Sequence, residues 1–250
     1  MELSFLGRGS AFNPNEGNTS AFFIEGRELF LIDCGENIFG RLIESRVLEG
    51  ITAIYLFITH THSDHVGSLG SLISYAHYRL KVPFKIVLPN RDKFVLGIRQ
   101  ILESYGCYEG KYSIVDEKSL DNRLKTFQNV RYMETAHCRN LCCYGLLFNT
   151  PSGVVYYSGD TSELNLVKRL IASKTKIDRL YLDTTTEDYP GNVHLNINIL
   201  EKTIPLSLRN RVWCMHFNDG ECIQLAQDLR FNVVETIGEL KELSLVNKPN

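Results

Sequence analysis

Ile51-Thr52-Ala53-Ile54-Tyr55-Leu56-Phe57-Ile58-Thr59-His60-Thr61-His62-Ser63-Asp64-His65 is the stretch from which the rest of the chain can be read. Its first half is an apolar run of strand length. Its second half reads His-x-His-x-Asp-His, four metal-ligand side chains in six residues. Alternation along an extended chain sends His60 and His62 to the same side. Asp64 and His65 lie past the strand end, where the backbone must turn. A lone histidine is most often a satisfied polar residue, but four such groups packed behind a strand point to a metal site. Six of the seven histidines fall where one two-metal site and its acid need them.

The remaining ligands must come from elsewhere. His137 follows the strand-like Val130 to Thr135. Asp160 follows Val155-Tyr156-Tyr157-Ser158-Gly159, and His216 follows Val212-Trp213-Cys214-Met215. All three stand at the end of a predicted strand, and Gly159 gives the backbone freedom beside Asp160. A competing reading makes Asp160 the N-cap of the helix that follows, in Asp160-Thr161-Ser162-Glu163.

Hydrophobic patterning around these points predicts an alternation of strands and helices. A hairpin of Ser20 to Glu25 and Leu29 to Asp33 precedes a helix from Ile38 to Leu48. A long helix is expected from Val66 to Leu80, a strand over Phe84 to Leu88 and a helix from Asp92 to Tyr105. Two or three strands lie between Tyr112 and His137. A second hairpin joins Cys143–Phe148 to Val154–Ser158 through a Pro-Ser-Gly turn. A helix over Glu163–Ala172, a strand over Arg179–Asp183, a helix after His194, a strand over Arg211–Met215 and a helix after Gly220 follow. Both halves therefore run hairpin first and strand–helix afterwards. That pattern predicts an α/β architecture of two sheets packed face to face with helices outside, and loops at one sheet edge carrying the chemistry.

Composition narrows the function. The 250 residues are 44% hydrophobic, enough for a full core, and are expected to form one domain over 1–250. A net charge of −2 offers no general attraction to nucleic acid. Seven cysteines, an odd number, argue against a disulfide scaffold. No apolar run has transmembrane length, and the N-terminus reads as a strand rather than a signal peptide. A cytoplasmic protein with no membrane partner is the expectation. Cys138, Cys142 and Cys143 beside His137 read as ordinary small buried residues, as do Cys34 and Cys214. His77 reads as a half-buried helix residue. Tyr105, Tyr108 and Tyr112 read as packing residues rather than base-stacking ones.

The order and spacing of Leu31-Ile32-Asp33-Cys34-Gly35, the His60 to His65 core, His137, Ser158-Gly159-Asp160-Thr161 and His216 resemble the metallo-β-lactamase superfamily over nearly the whole chain. The resemblance implies a four-layer αββα sandwich of the metallo-β-lactamase type, with metals at one edge of the sheets. It implies that His60, His62 and His137 bind one metal, that Asp64, His65 and His216 bind a second, and that Asp160 bridges them. Asp33 would support a ligand loop. Imidazole and carboxylate without thiolate suit two Zn²⁺, with Mn²⁺ or Fe as alternatives. Such ions lower the pKa of water from near 16 to about 7 and clamp phosphoryl oxygens, so Asp64 also counts among the catalytic residues.

Within the superfamily, Asp183-Thr184-Thr185 with His194-Leu195-Asn196, and Met215-His216-Phe217-Asn218, resemble ribonuclease Z-like phosphodiesterases. Their resemblance implies that His194 is the general acid and Asp183 orients it. Two features depart from ribonuclease Z. Only 23 positions separate His137 from Asp160 (160 − 137), too few for a flexible tRNA arm. Pro14-Asn15-Glu16-Gly17-Asn18 replaces a basic loop. A small phosphodiester or nucleotide, most readily a cyclic nucleotide, is the expected substrate. Relatives of this branch include cyclic-nucleotide hydrolases, some of which disarm nucleotide-signalled antiphage defence. A tRNA 3′-processing endonuclease and a metal-dependent hydrolase of carbon esters or lactams are the alternatives. The resemblance also implies a homodimer, with apolar and aromatic residues in Leu69 to Tyr78 as candidate contacts.

Overall fold

The computed structural model describes residues 1–238. Ser4–Gly7 (β1), Ser20–Glu25 (β2) and Glu28–Ile32 (β3) form an antiparallel meander. After Ile38–Ser45 (α1), the chain returns as Ala53–Phe57 (β4), which pairs parallel to β3 with Ile32 opposite Phe57. Ser63–Val66 (α2) and Leu69–Tyr75 (α3) lead through a wider π turn over Ala76–Leu80 to Phe84–Leu88 (β5). Asp92–Ser104 (α4) and Ser113–Asp116 (β6) finish the first sheet, in order β1-β2-β3-β4-β5-β6.

The second sheet repeats the plan. Asn129–Glu134 (β7), Tyr144–Thr150 (β8) and Gly153–Tyr157 (β9) pair antiparallel. Asn165–Ala172 (α5), Ile177–Asp183 (β10), Ile197–Thr203 (α6), Leu206–Arg209 (α7), Val212–Met215 (β11), Gly220–Asp228 (α8) and Asn232–Val233 (β12) follow, with the strands parallel from β9 onward. Parallel strands need crossovers and helices supply them, which is why each half reads hairpin first and strand–helix afterwards.

Three apolar clusters define the layers. Leu29, Leu31, Ile54, Leu56 and Ile86 of the first sheet pack against Ile38 and Leu42 of α1, Leu72 of α3 and Ile98 of α4. Leu180, Leu182, Val212 and Cys214 of the second sheet pack against Val167 of α5, Leu200 of α6 and Ala226 of α8. Between the sheets lie Phe23, Phe30, Tyr55 and Phe57 from one and Leu146, Phe148, Val155 and Tyr157 from the other. Helices, sheet, sheet, helices: the four-layer sandwich is observed. Successive residues such as Leu29 and Phe30 fall into different clusters because neighbours on a strand face opposite sides. Two-sided burial is why these strands read as continuous apolar runs.

Phe148 shows what holds the two sheets together. It is fully buried and edge-on to Phe57 at 6.0 Å and Phe127 at 5.3 Å. Its truncation in Phe148→Ala should cost about 3–5 kcal/mol, read as a fall in the midpoint of denaturant unfolding. A midpoint unchanged from wild type would mean the sheets do not depend on this contact.

Two expectations are corrected here. The single helix over Val66–Leu80 is three pieces, because the chain bends after α2 and widens to the π turn beyond Tyr75. Most of Leu69 to Tyr78 is also committed internally. Leu69, Leu72, Ile73 and Ala76 are buried in the first core and Tyr75 packs edge-on to Phe39, leaving Tyr78 as the exposed ring. His77 is half-buried and Tyr112 buried, whereas Tyr105 and Tyr108 are exposed. Cys34, Cys143 and Cys214 are buried and Cys138 and Cys142 half-buried, all as free thiols. Among the described residues no helix is long and apolar enough to cross a membrane.

Candidate metal centre

The strand ends converge at one edge of the sandwich. Past the end of β4 the chain stays extended long enough for His60 and His62 to face the same side, with His60 Nε2 3.0 Å from His62 Nδ1. The α2 turn then brings Asp64 and His65 back over the same edge. His137, on the loop between β7 and β8, places its Nε2 3.1 Å from His62 Nδ1. Asp160, in the loop after β9, sits among them. Its carboxylate lies 3.7 Å from His60, 3.4 Å from His65, 3.6 Å from His137 and 3.4 Å from His216. His216 follows β11, and its Nε2 is 3.5 Å from Asp64. Asp160 does not cap α5. That helix starts at Asn165 behind Leu164, with no side-chain cap.

Tight backbone packing sets these loops. Gly159 has φ +56°, and a Cβ there would stand 2.4 Å from Tyr144 O. Gly35 lies so close to the Asp64 carbonyl that a Cβ would overlap it at 1.9 Å. Asp33 and His216 hold φ near +60° without being glycine. Each such residue costs about 1 kcal/mol or more and persists where surroundings impose it.

Asp33 shows what imposes it. Its backbone N–H donates to Phe57 O at 2.9 Å. Its buried carboxylate accepts from Thr59 N at 2.8 Å, Thr59 Oγ1 at 2.7 Å and His65 Nδ1 at 2.8 Å. That last bond commits the Nδ1 proton to Asp33 and leaves Nε2 as the nitrogen that would face an ion. Nε2 is buried without a hydrogen-bond partner, 3.3 Å from Asp64 and 3.4 Å from Asp160. His137 behaves likewise, with Nδ1 donating to Val193 O at 3.1 Å and Nε2 turned inward.

Asp183 ends β10 and His194 lies beyond it in the loop before α6. His194 Nδ1 donates to Asp183 Oδ2 at 2.9 Å, and the same oxygen accepts from Thr161 N at 3.0 Å. Asp183 N donates to Ser158 Oγ at 2.9 Å. The His194 ring stacks on His216 at 4.9 Å and stands 3.9 Å from Asp160. Every residue read from the sequence as a metal ligand or as part of the acid pair thus lies at this edge. Thr59, Thr161, Ser158 and Asn13 were missed. Thr59 sits inside the quoted motif, and its hydroxyl beside a buried carboxylate was the available signal. Ser158 and Thr161 flank Asp160 in a quoted motif, but their bonds to Asp183 cross 25 and 22 positions, and Asn13 reaches Phe217 O across 204, separations that no local pattern shows.

Electrostatics follow burial and charge. Burial drives the pKa of His60, His62 and His137 down, His60 furthest, which keeps them neutral with a lone pair to offer. Burial also opposes charge on His65 and His216, but the Asp160 carboxylate outweighs it, and His216 is pushed up to about 10. Asp64 and Asp160 are held below the usual carboxylate range, because His65 and His216 overcome the cost of burying their charge. Burial disfavours protonated His194 too, yet Asp183 raises its pKa. The charge on Asp64 and Asp160 is therefore offset by the imidazoles of His65 and His216. A divalent cation would do the same at the centre of the cluster.

Three groups of ligand atoms could hold an ion, each with its atoms within 4.8 Å of one another: His60, His62, His137 and Asp160; Asp64, His65, Asp160 and His216; and Asp160, Asp183, His194 and His216. No thiol joins them among the described residues.

The fold places the chain in the metallo-β-lactamase class. It is similar to the metallo-beta-lactamase fold protein YhfI of Bacillus subtilis, with a TM-score of 0.68 at 18% identity, covering 94% of this chain and 96% of that one. It is also similar to the short form of human tRNase Z, with a TM-score of 0.64 at 20% identity, covering 94% and 97%. Within that class the chain belongs to the Anti-Pycsar protein Apyc1 family, whose model matches residues 1–237. The Anti-Pycsar protein Apyc1 of Bacillus phage BSP38 is 29% identical over 245 residues, covering 88% of this chain and 90% of the relative.

Proposed function

We propose that this protein is a metal-dependent phosphodiesterase that hydrolyses a small phosphodiester, a cyclic nucleotide above all, and thereby counters a nucleotide-signalled antiphage defence. The observation that carries the reading is the Asp183–His194 pair, bonded at 2.9 Å and seated against the carboxylate shared by all three ligand groups. Carbon-ester or lactam cleavage has less need of a separately oriented acid. The family name, Anti-Pycsar, supports the anti-defence role.

The residues fit two divalent ions, zinc by donor type, with manganese or iron as alternatives. His60, His62, His137 and Asp160 would hold one, and Asp64, His65, His216 and Asp160 the other. When bound, such ions polarise phosphoryl oxygens and bring the pKa of water down to about 7. The chain's own residues carry the proton. Asp183 orients His194 through Nδ1, so Nε2 is the atom available to protonate the leaving oxygen. Asp33 and Val193 O fix the tautomers of His65 and His137.

The substrate argument rests on what surrounds this centre. The 23 positions after His137 are taken up by its loop and the β8–β9 hairpin, which belongs to the second sheet, so no arm projects there. In the N-terminal loop, Glu16 pairs with Arg8 at 2.7 Å rather than leaving a basic grip. Phosphate contacts by Lys and Arg supply much of nucleic-acid affinity. Protein loaded with Zn²⁺ or Mn²⁺ should hydrolyse a 3′,5′- or 2′,3′-cyclic mononucleotide and leave precursor tRNA nearly intact at physiological salt. Efficient tRNA cleavage with no activity on small phosphodiesters would reverse this reading.

We also infer that the protein works as a homodimer in the cytoplasm. Exposed aromatic area supports the dimer: the Lys111 ammonium lies between the exposed rings of Tyr78 and Tyr108, at 5.1 and 4.6 Å. Light scattering should give twice 28.5 kDa at micromolar protein. A mass near 28.5 kDa would defeat the inference.

A further inference from the structure

His216 is the ligand furthest along the chain, directly after the end of β11. β11 ends at Met215, and at His216 the backbone turns into the left-handed region at φ +63°. From there the peptide groups leave the second sheet and need partners elsewhere. They find them on one N-terminal loop. Phe217 N donates to Arg8 O at 2.9 Å, and Phe217 O accepts from Ser10 N at 3.0 Å. The same carbonyl accepts a second bond, from Asn13 Nδ2 at 3.1 Å. That is a side chain reaching across 204 positions of sequence. The Asn13 side chain is buried, and its own N–H closes a turn onto Ser10 O at 3.1 Å. The Phe217 ring is fully buried in the helix-facing core of the second sheet. Phe217, the residue after His216, is therefore held by its buried ring, by its N–H on Arg8 O and by two donors on its carbonyl.

We propose that Asn13 is a positioning residue for His216. It holds the left-handed bend that aims the imidazole at Asp64 and Asp160, and so sets the affinity of the ion shared by Asp64, His65 and His216. The inference rests on the two-ion reading above. Asn13 touches neither ligand atoms nor substrate. It acts through one carbonyl, and its loss lets the bend relax toward an ordinary backbone conformation.

The prediction is selective. The ion at His60, His62 and His137 has no ligand that leans on the N-terminal loop, whereas the other does. Asn13→Asp keeps the shape of the side chain, removes the donor and sets an anion against the carbonyl. Asn13→Ala removes the donor without adding charge. Metal-free protein of wild type and both variants would be titrated with Co²⁺, reading the visible ligand-field bands alongside calorimetry, with thermal unfolding of the metal-free proteins as control. Wild type should take up two ions. In the variants one ion should bind as in wild type, and the other about 10–100-fold more weakly, the range seen when partners of metal ligands are removed. Two ions bound with wild-type affinities in both variants would overturn the role of Asn13. So would equal weakening of both ions in step with lost thermal stability, since that is a general structural defect. Wild type binding fewer than two ions would overturn the two-ion reading first, and this inference with it.

Discussion

Asp160→Ala should bring hydrolysis of a cyclic nucleotide down by about a thousandfold or more, an effect of several kcal/mol at tenfold per 1.36 kcal/mol. It should also remove most metal uptake. The reason is geometric. One carboxylate lies within 4 Å of ring nitrogens of His60, His65, His137, His194 and His216, and among the described residues no second side chain belongs to both proposed metal groups. The metal-free fold should survive, because the site is at a sheet edge and the three apolar clusters do not include it. Metal analysis and turnover after reconstitution give the answer. Retention of more than about a hundredth of the wild-type rate would show that Asp160 does not link the two groups. Asp64→Ala tests the second group by the same measurement.

The second large effect concerns the proton. His194→Ala should lower turnover of a cyclic nucleotide by about 10²–10⁴-fold, while metal uptake stays at the wild-type level. The loss should shrink when the leaving group is p-nitrophenolate, which departs without a proton. Asp183→Asn should follow the same pattern more weakly, because it leaves the imidazole in place but removes the charge that raises its pKa. Equal losses on good and poor leaving groups would remove His194 from the acid role. If a lactam or carbon ester were turned over well by wild type and by His194→Ala alike, the phosphodiesterase reading itself would fall.

How much of this was legible before the structure depends on sequence distance. His60, His62, Asp64 and His65 lie in one short segment, and strand alternation followed by a turn is local physics, so their common direction could be read directly. His137, Asp160 and His216 were legible as a class, each behind an apolar run, but only the pairing of β7 through β11 shows that these runs end at one edge. The layering was legible too, since each half pairs a hairpin with crossover units. The break in the helix after Val66 was not, because side-chain periodicity continues through Gly67 and across the π turn. Nor was the burial of Leu69 to Ala76, since an apolar helix face looks the same whether it meets a core or a partner. Asn13 reaches a distant carbonyl through its side chain and Thr161 a distant carboxylate through its backbone N–H, and polar loop residues carry no periodic signature.

The spread of the ligands along the chain bears on biosynthesis. His60 is made early, but His216 is residue 216 of 250, and Phe217 beside it bonds to Arg8, Ser10 and Asn13 near the start of the chain. On the proposed two-ion reading, the early histidines would emerge during translation as an incomplete chelate, able to catch an ion only loosely. The full cage would close once β11 has docked and the loop from Arg8 to Asn13 has met Phe217. Ion capture at full strength is then a readout of finished folding, and a chain cut short before residue 216 would be released without it.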